Sequence, residues 1–212
     1  TGDALAEWKY RRYMIDYMNT AESMDRNIGR VLDYLKENGL EENTLVVYLS
    51  DQGFYMGEHG WFDKRWMYEE SFRTPLLAKL PGVIKPHSTI NNLVSNVDLA
   101  PTFLEIAGVP VPADFQGTSV LPLLQGKKKD IRTNVYYHYY ENGERAVSPH
   151  FRISDGRYKL IRYYKRVDGW EFFDLKQDKQ ELTNLYQDAK YQKKINKIKA
   201  LLLQEATKVD DQ

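Results

Sequence analysis

The chain has 212 residues, and its 30 Lys and Arg balance 30 Asp and Glu, so the formal net charge is zero. That balance supplies no bulk field for nucleic acid or an anionic membrane, and no apolar run approaches the roughly 18 residues of a spanning helix. Cysteine is absent, which removes disulfides and thiolate metal sites, while 16 Tyr and 4 Trp supply material for a core and for stacking on sugars.

This length suits one large domain or two small ones, with ample material for a core. Thr1 is not an initiator Met and no signal-peptide pattern follows it, which reads as a fragment or processed piece of a longer chain. From about Ala6 to Asn38, the residues Tyr13, Tyr17, Ala21, Met24, Ile28, Val31, Leu32 and Leu35 recur at three- and four-residue steps. That spacing predicts one amphipathic helix, with Asn19-Thr20 the point where it would break and Gly39 its C-terminal stop. The run Thr44–Ser50 is apolar and β-branched without alternation, which predicts a strand buried on both faces, as in a parallel sheet. Pro75–Leu80 predicts a second strand before a Pro81-Gly82 turn. Asn96-Val97-Asp98 then caps a helix over Leu99–Ala107, closed by Gly108, and Pro110, Pro112 and Pro122 mark an irregular stretch.

Lys127–Asp130 is a charged, loop-like junction and the expected boundary between residues 1–130 and 131–212. Beyond it the pattern becomes hairpin-like. Strands are expected over Asn134–Tyr140, Phe151–Ser154, Tyr158–Tyr164 and Glu171–Leu175, with turns at Asn142-Gly143, Asp155-Gly156 and Asp168-Gly169. A last helix over Asp188–Val209 places Ile195, Ile198, Leu201, Leu202 and Ala206 on one face. Together these predict an α/β fold with a four-stranded antiparallel sheet and one helix at its C-terminal end. Residues 1–125 offer only two strands of an expected parallel sheet, where such sheets have about five or more. The missing neighbours are expected on an N-terminal segment outside this chain.

Chemistry-bearing residues gather at the end of the first strand. Asp51, Gln52 and Gly53 come first, then two glycines flanking Glu58-His59, then Lys64, Arg65, Tyr68, Glu69 and Arg73. In open α/β sheets, ligands bind outside the carboxyl ends of strands. Asp51 and Gln52 offer adjacent oxygen donors to a hard cation; the competing reading is a turn in which Asp51 accepts from the following backbone N–H groups. Lys64 suits an oxyanion, against the ordinary fate of a solvated lysine. His59 either lines the pocket or fixes its own loop. Glu69 and Arg73 lie four apart and read as a structural pair. His150 follows Ser148-Pro149 at a strand edge, and His87 beside Pro86 reads as exposed.

The order S-D-Q-G, G-E-H-G and D-K-R-W-M-Y-E-E-S-x-R-T-P-L resembles the second metal-binding segment of the formylglycine-dependent sulfatases, in the alkaline-phosphatase-like superfamily. SNVDLAPTFLEIAGVPVPADFQGTSVLPLLQG resembles the segment that finishes their large domain, and RISDGRYKLIRYY with WEFFDLKQDKQELTNLY resembles their small C-terminal subdomain. The resemblance covers nearly the whole chain but only the back half of such an enzyme. It implies the C-terminal part of an alkaline-phosphatase-like sheet domain, followed by a small antiparallel sheet with a helix.

The same resemblance implies Asp51 and Gln52 as ligands of Ca²⁺, with Mg²⁺ the other candidate, and Lys64 as the catalytic, sulfate-binding cation. It implies substrate contacts from His59, Arg65 and His150, with His138 and Tyr140 lesser candidates. The family's formylglycine nucleophile arises from a C/S-x-P-S-R motif, and neither Cys nor Pro-Ser-Arg occurs here. The nucleophile, the acidic metal ligands and the leaving-group histidine are therefore expected from the missing N-terminal half, and the chain alone is expected to be inactive. The implied activity is hydrolysis of sulfate esters on a carbohydrate, closest to glycosaminoglycan or N-acetylglucosamine-6-sulfate sulfatases. The expected partners are the sulfated sugar and the N-terminal half, with no nucleic acid and no membrane span. The implied location is periplasmic, secreted or lysosomal. The alternatives are a phosphodiesterase or phosphonate monoester hydrolase of the same superfamily, and a non-catalytic glycan-binding module.

Overall fold

The computed structural model describes residues 1–143 and 147–211. Helix α1 runs over Asp3–Glu37 without interruption. The break expected at Asn19-Thr20 is absent, and the Thr20 hydroxyl finds its acceptor inside the helix, donating back to the Asp16 carbonyl at 2.9 Å. Gly39 ends it as expected, at φ 66°. The Gly39 N–H bonds the Lys36 carbonyl and the Leu40 N–H bonds the Leu35 carbonyl, so the last turn closes in a Schellman motif. None of the 35 residues of α1 is buried.

Strands β1 (Val46–Leu49) and β2 (Leu76–Lys79) pair with each other, with Val46 opposite Lys79 and Leu49 opposite Leu76. The pairing is antiparallel, which corrects the parallel reading of the first strand. A continuous apolar run reports burial on both faces and carries no information about strand direction. Nor are both faces covered here: Tyr48 and Leu49 on β1 and Leu77 on β2 are exposed. One short helix, α2 (Glu69–Phe72), lies between the two strands.

Helix α3 spans Leu99–Ile106 and stops at Gly108, as expected. Its entry is a capping box in which the Ser95 N–H donates to Asp98 Oδ2 at 2.8 Å, so the cap is Ser95 rather than Asn96. Helix α4 is the single turn Leu121–Leu124.

The C-terminal half is a meander: β3 (Val135–Tyr139), β4 (His150–Ser154), β5 (Tyr158–Tyr163) and β6 (Gly169–Asp174), each antiparallel to the next. The Asp155-Gly156 turn forms as expected, with Asp155 Oδ1 accepting the Arg157 and Tyr158 N–H groups and Gly156 at φ 87°. The other two turns differ from the expectation. Tyr139 pairs with His150, so residues 140–149 form the β3–β4 connection; residues 144–146 lie outside those described, and the two-residue Asn142-Gly143 turn is not the link. Gly169 pairs with Tyr163 as the first residue of β6, so residues 164–168 make that turn.

Alternation along these strands gives the sheet two different faces. Ile153, Leu160 and Phe172 point to one side and are fully buried against Ile195, Ile198 and Leu202 of helix α5 (Gln192–Lys208). Fully burying each such side chain contributes about 1.5–3 kcal/mol. Ile161, Tyr163 and Phe173 point the other way and pack on Tyr55, Met67 and Tyr68 of the loop that follows β1. The sheet thus rests on α5 with one face and supports the loop with the other.

Candidate active site at the end of the first strand

Gly53 follows Asp51-Gln52 where the chain leaves β1 and comes against backbone. Its N–H donates to the Ser71 carbonyl at 2.7 Å. A Cβ at this position would lie 1.9 Å from the Glu70 carbonyl oxygen, so only glycine allows the approach. The Asp51 carbonyl accepts from Asn96 Nδ2 at 2.8 Å, and the Ser50 hydroxyl donates to the Gln52 carbonyl at 2.7 Å. Backbone is therefore held from both sides, while the Asp51 carboxylate stays exposed, its one hydrogen-bonding neighbour among the described residues being the Ser50 hydroxyl, 3.5 Å away. The competing turn, with that carboxylate accepting from following N–H groups, is not what forms.

Lys64 lies on the same loop. Its N–H donates to Asp63 Oδ1 at 2.7 Å and its carbonyl accepts the Ser71 hydroxyl. Among the described residues its ammonium has no carboxylate within ion-pair distance. Asp51, Gln52 and Lys64 line one cavity of about 550 Å³, together with Arg73, Asn96 and Arg152. Two hard oxygen donors thus share one concave space with an unpaired cation. That arrangement suits an anionic ester held between a divalent ion and an ammonium.

The donors present fit part of a Ca²⁺ shell. Ca²⁺ takes about 6–8 oxygen ligands and this strand end offers two side chains. Among the described residues no cluster of three His, Cys, Asp or Glu completes such a set.

The other expected contacts do not reach this cavity. His59 stands at φ 55°, stacks on Tyr68 with ring centroids 4.4 Å apart, and places Nε2 3.6 Å from Glu70 Oε2. Of its two readings, this geometry matches a residue that fixes its loop. Arg65 pairs with Asp63 at 2.5 Å. His150 is fully buried, with Nδ1 2.6 Å from the Ser148 carbonyl and its ring stacked between Tyr139 and Trp66. Burial pushes its pKa down to about 4 and keeps the ring neutral. As placed here it is a buried histidine whose Nε2 has no hydrogen-bond partner among the described residues. His138 bridges Asp211 and the Tyr164 hydroxyl, with 2.7 Å to each, away from the cavity.

Some of the residues that shape the site gave no sequence signal. Glu69 was expected to pair with Arg73; instead its Oε1 lies 2.7 Å from Lys159 Nζ and 3.6 Å from Arg152 Nη1, both on the C-terminal sheet. Arg152 also stacks on the Phe72 ring at 3.5 Å, and burial lowers its pKa to about 10. The partners in these contacts are separated by some 80–90 positions and come from a different sheet, so no local spacing could reveal them. Asn96, which bonds the Asp51 carbonyl, sits 45 positions away.

Comparison with known proteins places these features. A family model described as N-sulphoglucosamine sulphohydrolase, C-terminal, matches residues 57–208, and one described as Sulfatase matches residues 2–109. An N-acetylglucosamine-6-O-sulfatase of Bacteroides thetaiotaomicron is 49% identical over 205 residues, covering 95% of this chain and 37% of its own length. A solved structure in complex with its substrate D-glucosamine-2-N,6-O-disulfate superposes with a TM-score of 0.93 at 46% identity, over 100% of this chain and 44% of that one. A phosphonate monoester hydrolase from Silicibacter pomeroyi superposes with a TM-score of 0.78 at 25% identity, over 87% of this chain and 38% of that one. The chain thus spans less than half the length of the proteins it matches.

Proposed function

Because the chain belongs to the sulfatase family, we propose that it is the C-terminal part of a sulfuric ester hydrolase acting on a sulfated carbohydrate. The observation that carries this is the convergence of Asp51, Gln52 and Lys64 on one cavity. Asp51 and Gln52 would hold a Ca²⁺, with Mg²⁺ the alternative, whose chemistry is to polarise the sulfate and favour the ionised nucleophile. Lys64 binds sulfate oxygens and opposes the charge that builds as the ester bond breaks. The formylglycine nucleophile and the remaining acidic ligands would come from the part of the protein that precedes this chain. The relative at 49% identity makes a 6-O-sulfated N-acetylglucosamine the first substrate to test. We assign residues 1–130 to the catalytic α/β domain and 131–212 to the antiparallel-sheet subdomain. No helix among the described residues is long and apolar enough to cross a membrane. The proposed location is periplasmic, secreted or lysosomal.

The test uses the full-length protein with 6-O-sulfated N-acetylglucosamine. Lys64→Ala should lower kcat/KM by about 100-fold or more, the scale of losing one preorganised charge-stabilising group. Asp51→Asn should weaken Ca²⁺ binding by calorimetry, and added Ca²⁺ should partly restore its turnover but not that of Lys64→Ala. Unchanged Ca²⁺ affinity in Asp51→Asn would remove the metal assignment. The likeness to a phosphonate monoester hydrolase supports a second reading. Faster turnover of a phosphonate monoester than of the sulfate ester would favour it.

A further inference from the structure

Four charged side chains meet between the site loop and the C-terminal sheet, and three of them are buried. Lys159 on β5 is fully enclosed, Glu181 is 3% exposed and Arg152 is 5% exposed. Lys159 Nζ lies 2.7 Å from both Glu69 Oε1 and Glu181 Oε1, and it donates to the Met67 carbonyl at 3.1 Å. Glu181 Oε2 accepts the Glu69 N–H at 2.7 Å. With Arg152 beside Glu69, two carboxylates face two cations and the group is neutral.

Such a group is a poor choice if the need is only cohesion. Desolvating buried charges costs much of what their attraction returns, and an apolar set of the same volume would hold the loop as firmly. Glu181 also stands at φ 52°, an uncommon backbone conformation for a residue other than glycine. What the charges provide is direction. They grip two named backbone atoms, the Met67 oxygen and the Glu69 nitrogen, from a rigid strand and its neighbouring loop.

The gripped segment leads directly to the site. Two residues beyond Glu69, the Ser71 hydroxyl holds the Lys64 carbonyl and the Ser71 carbonyl holds the Gly53 N–H. We propose that Lys159 and Glu181 are positioning residues, anchoring the loop 63–72 to the C-terminal sheet so that the Lys64 ammonium faces Asp51 and Gln52 across the cavity. This rests on the sulfatase reading of that cavity. Neither residue touches substrate; both act through the backbone that carries Lys64.

The experiment is a double-mutant cycle in the full-length protein, with turnover corrected for the folded fraction at the assay temperature. Lys159→Met should lower kcat/KM roughly 10- to 100-fold, the cost of misplacing a reacting group by about an ångström. In a Lys64→Ala background the same change should cost less than about two-fold, because no ammonium remains to be misplaced. A merely structural role would give equal losses in both backgrounds, and that result overturns the proposal. If Lys159→Met fails to fold, the charge-compensated Lys159→Met/Glu181→Gln variant takes its place in the cycle. A readout without turnover separates this proposal from the sulfatase reading. Inorganic sulfate should protect Lys64 from acetylation, read by mass spectrometry, in the parent but not in Lys159→Met. Full protection in the variant also overturns the proposal. A parent that does not hydrolyse the sulfate ester, yet shows this difference in protection, overturns the sulfatase reading alone.

Discussion

At the scale of single residues, the site depends on one position where a side chain cannot exist. Gly53 lies against the Glu70 carbonyl, 1.9 Å from where a Cβ would be. Gly60, on the same loop at φ 77°, has open space around the corresponding position. Gly53→Ala must push backbone against backbone and is expected to cost roughly 2 kcal/mol or more, whereas Gly60→Ala meets only left-handed strain of about 1–2 kcal/mol. Denaturant unfolding of the two variants in the full-length protein compares them. A loss at Gly53 no larger than at Gly60 would show that the loop yields and does not hold the site. That Asp51, Gln52 and Lys64 would lie near one another was legible from sequence because they sit in one stretch at a strand end. The burial of His150 was illegible for the opposite reason: it is decided by Trp66 and Tyr139, one of them 84 positions away, and a flanking Ser-Pro says nothing of either.

At the scale of elements, the sheet β3–β6 and helix α5 were legible because alternation and the 3.6-residue period encode which face of each is apolar. The hairpin links were less so, since Asn142-Gly143 and Asp168-Gly169 carry turn chemistry without fixing the register. The direction of β1 was illegible because an apolar run looks the same either way. The end of β6 carries a charge that should appear in the stability of this unit. Asp174 is fully buried and takes Arg157 Nη2 and Nε at 2.8 and 3.1 Å, the Lys176 N–H at 3.1 Å and Gln177 Nε2 at 3.0 Å. The hydrogen bonds from Arg157 lead in holding its carboxyl below the ordinary carboxylate range. A carboxyl with its folded pKa lowered lends stability that is present above its unfolded value, near 3.9, and is lost as pH falls through the folded value. Asp174→Asn should therefore lower the melting temperature most near neutral pH, and the gap to the parent should narrow below about pH 4. A gap of constant size down to about pH 3 would mean that the packing of Asp174, and not its charge, matters.

At the scale of the whole molecule, α1 touches the site loop through Tyr10 and Tyr13, on Phe62 and Phe54, but presents a long surface that stays exposed among the described residues. Tyr17, Met24 and Val31, seven residues apart and so on one face, are 43–60% exposed along it. Its polar side is laced by exposed ion pairs such as Glu7–Arg11 and Glu22–Arg26, worth only a few tenths of a kcal/mol each. Contiguous apolar surface of this kind marks an interface. We expect the isolated 212-residue chain to self-associate as its concentration rises, and Met24→Glu with Val31→Glu to return it toward monomer. Sedimentation velocity on both proteins decides it, and a monomeric parent across the range would show that α1 tolerates water as it stands.

The anchoring of the site loop by Glu181 sets a schedule for the growing polypeptide. The Glu69 nitrogen and the glutamate that receives its hydrogen bond are 112 positions apart. At a ribosome adding about 5–20 residues per second, the loop waits on the order of ten seconds between its own synthesis and the arrival of its anchor. During that interval Lys64 is present in the nascent chain with nothing to aim it. On the proposed role of that anchor, competence is conferred only once residues far beyond the loop have been made, and a polypeptide released before that point carries the cation without the means to use it.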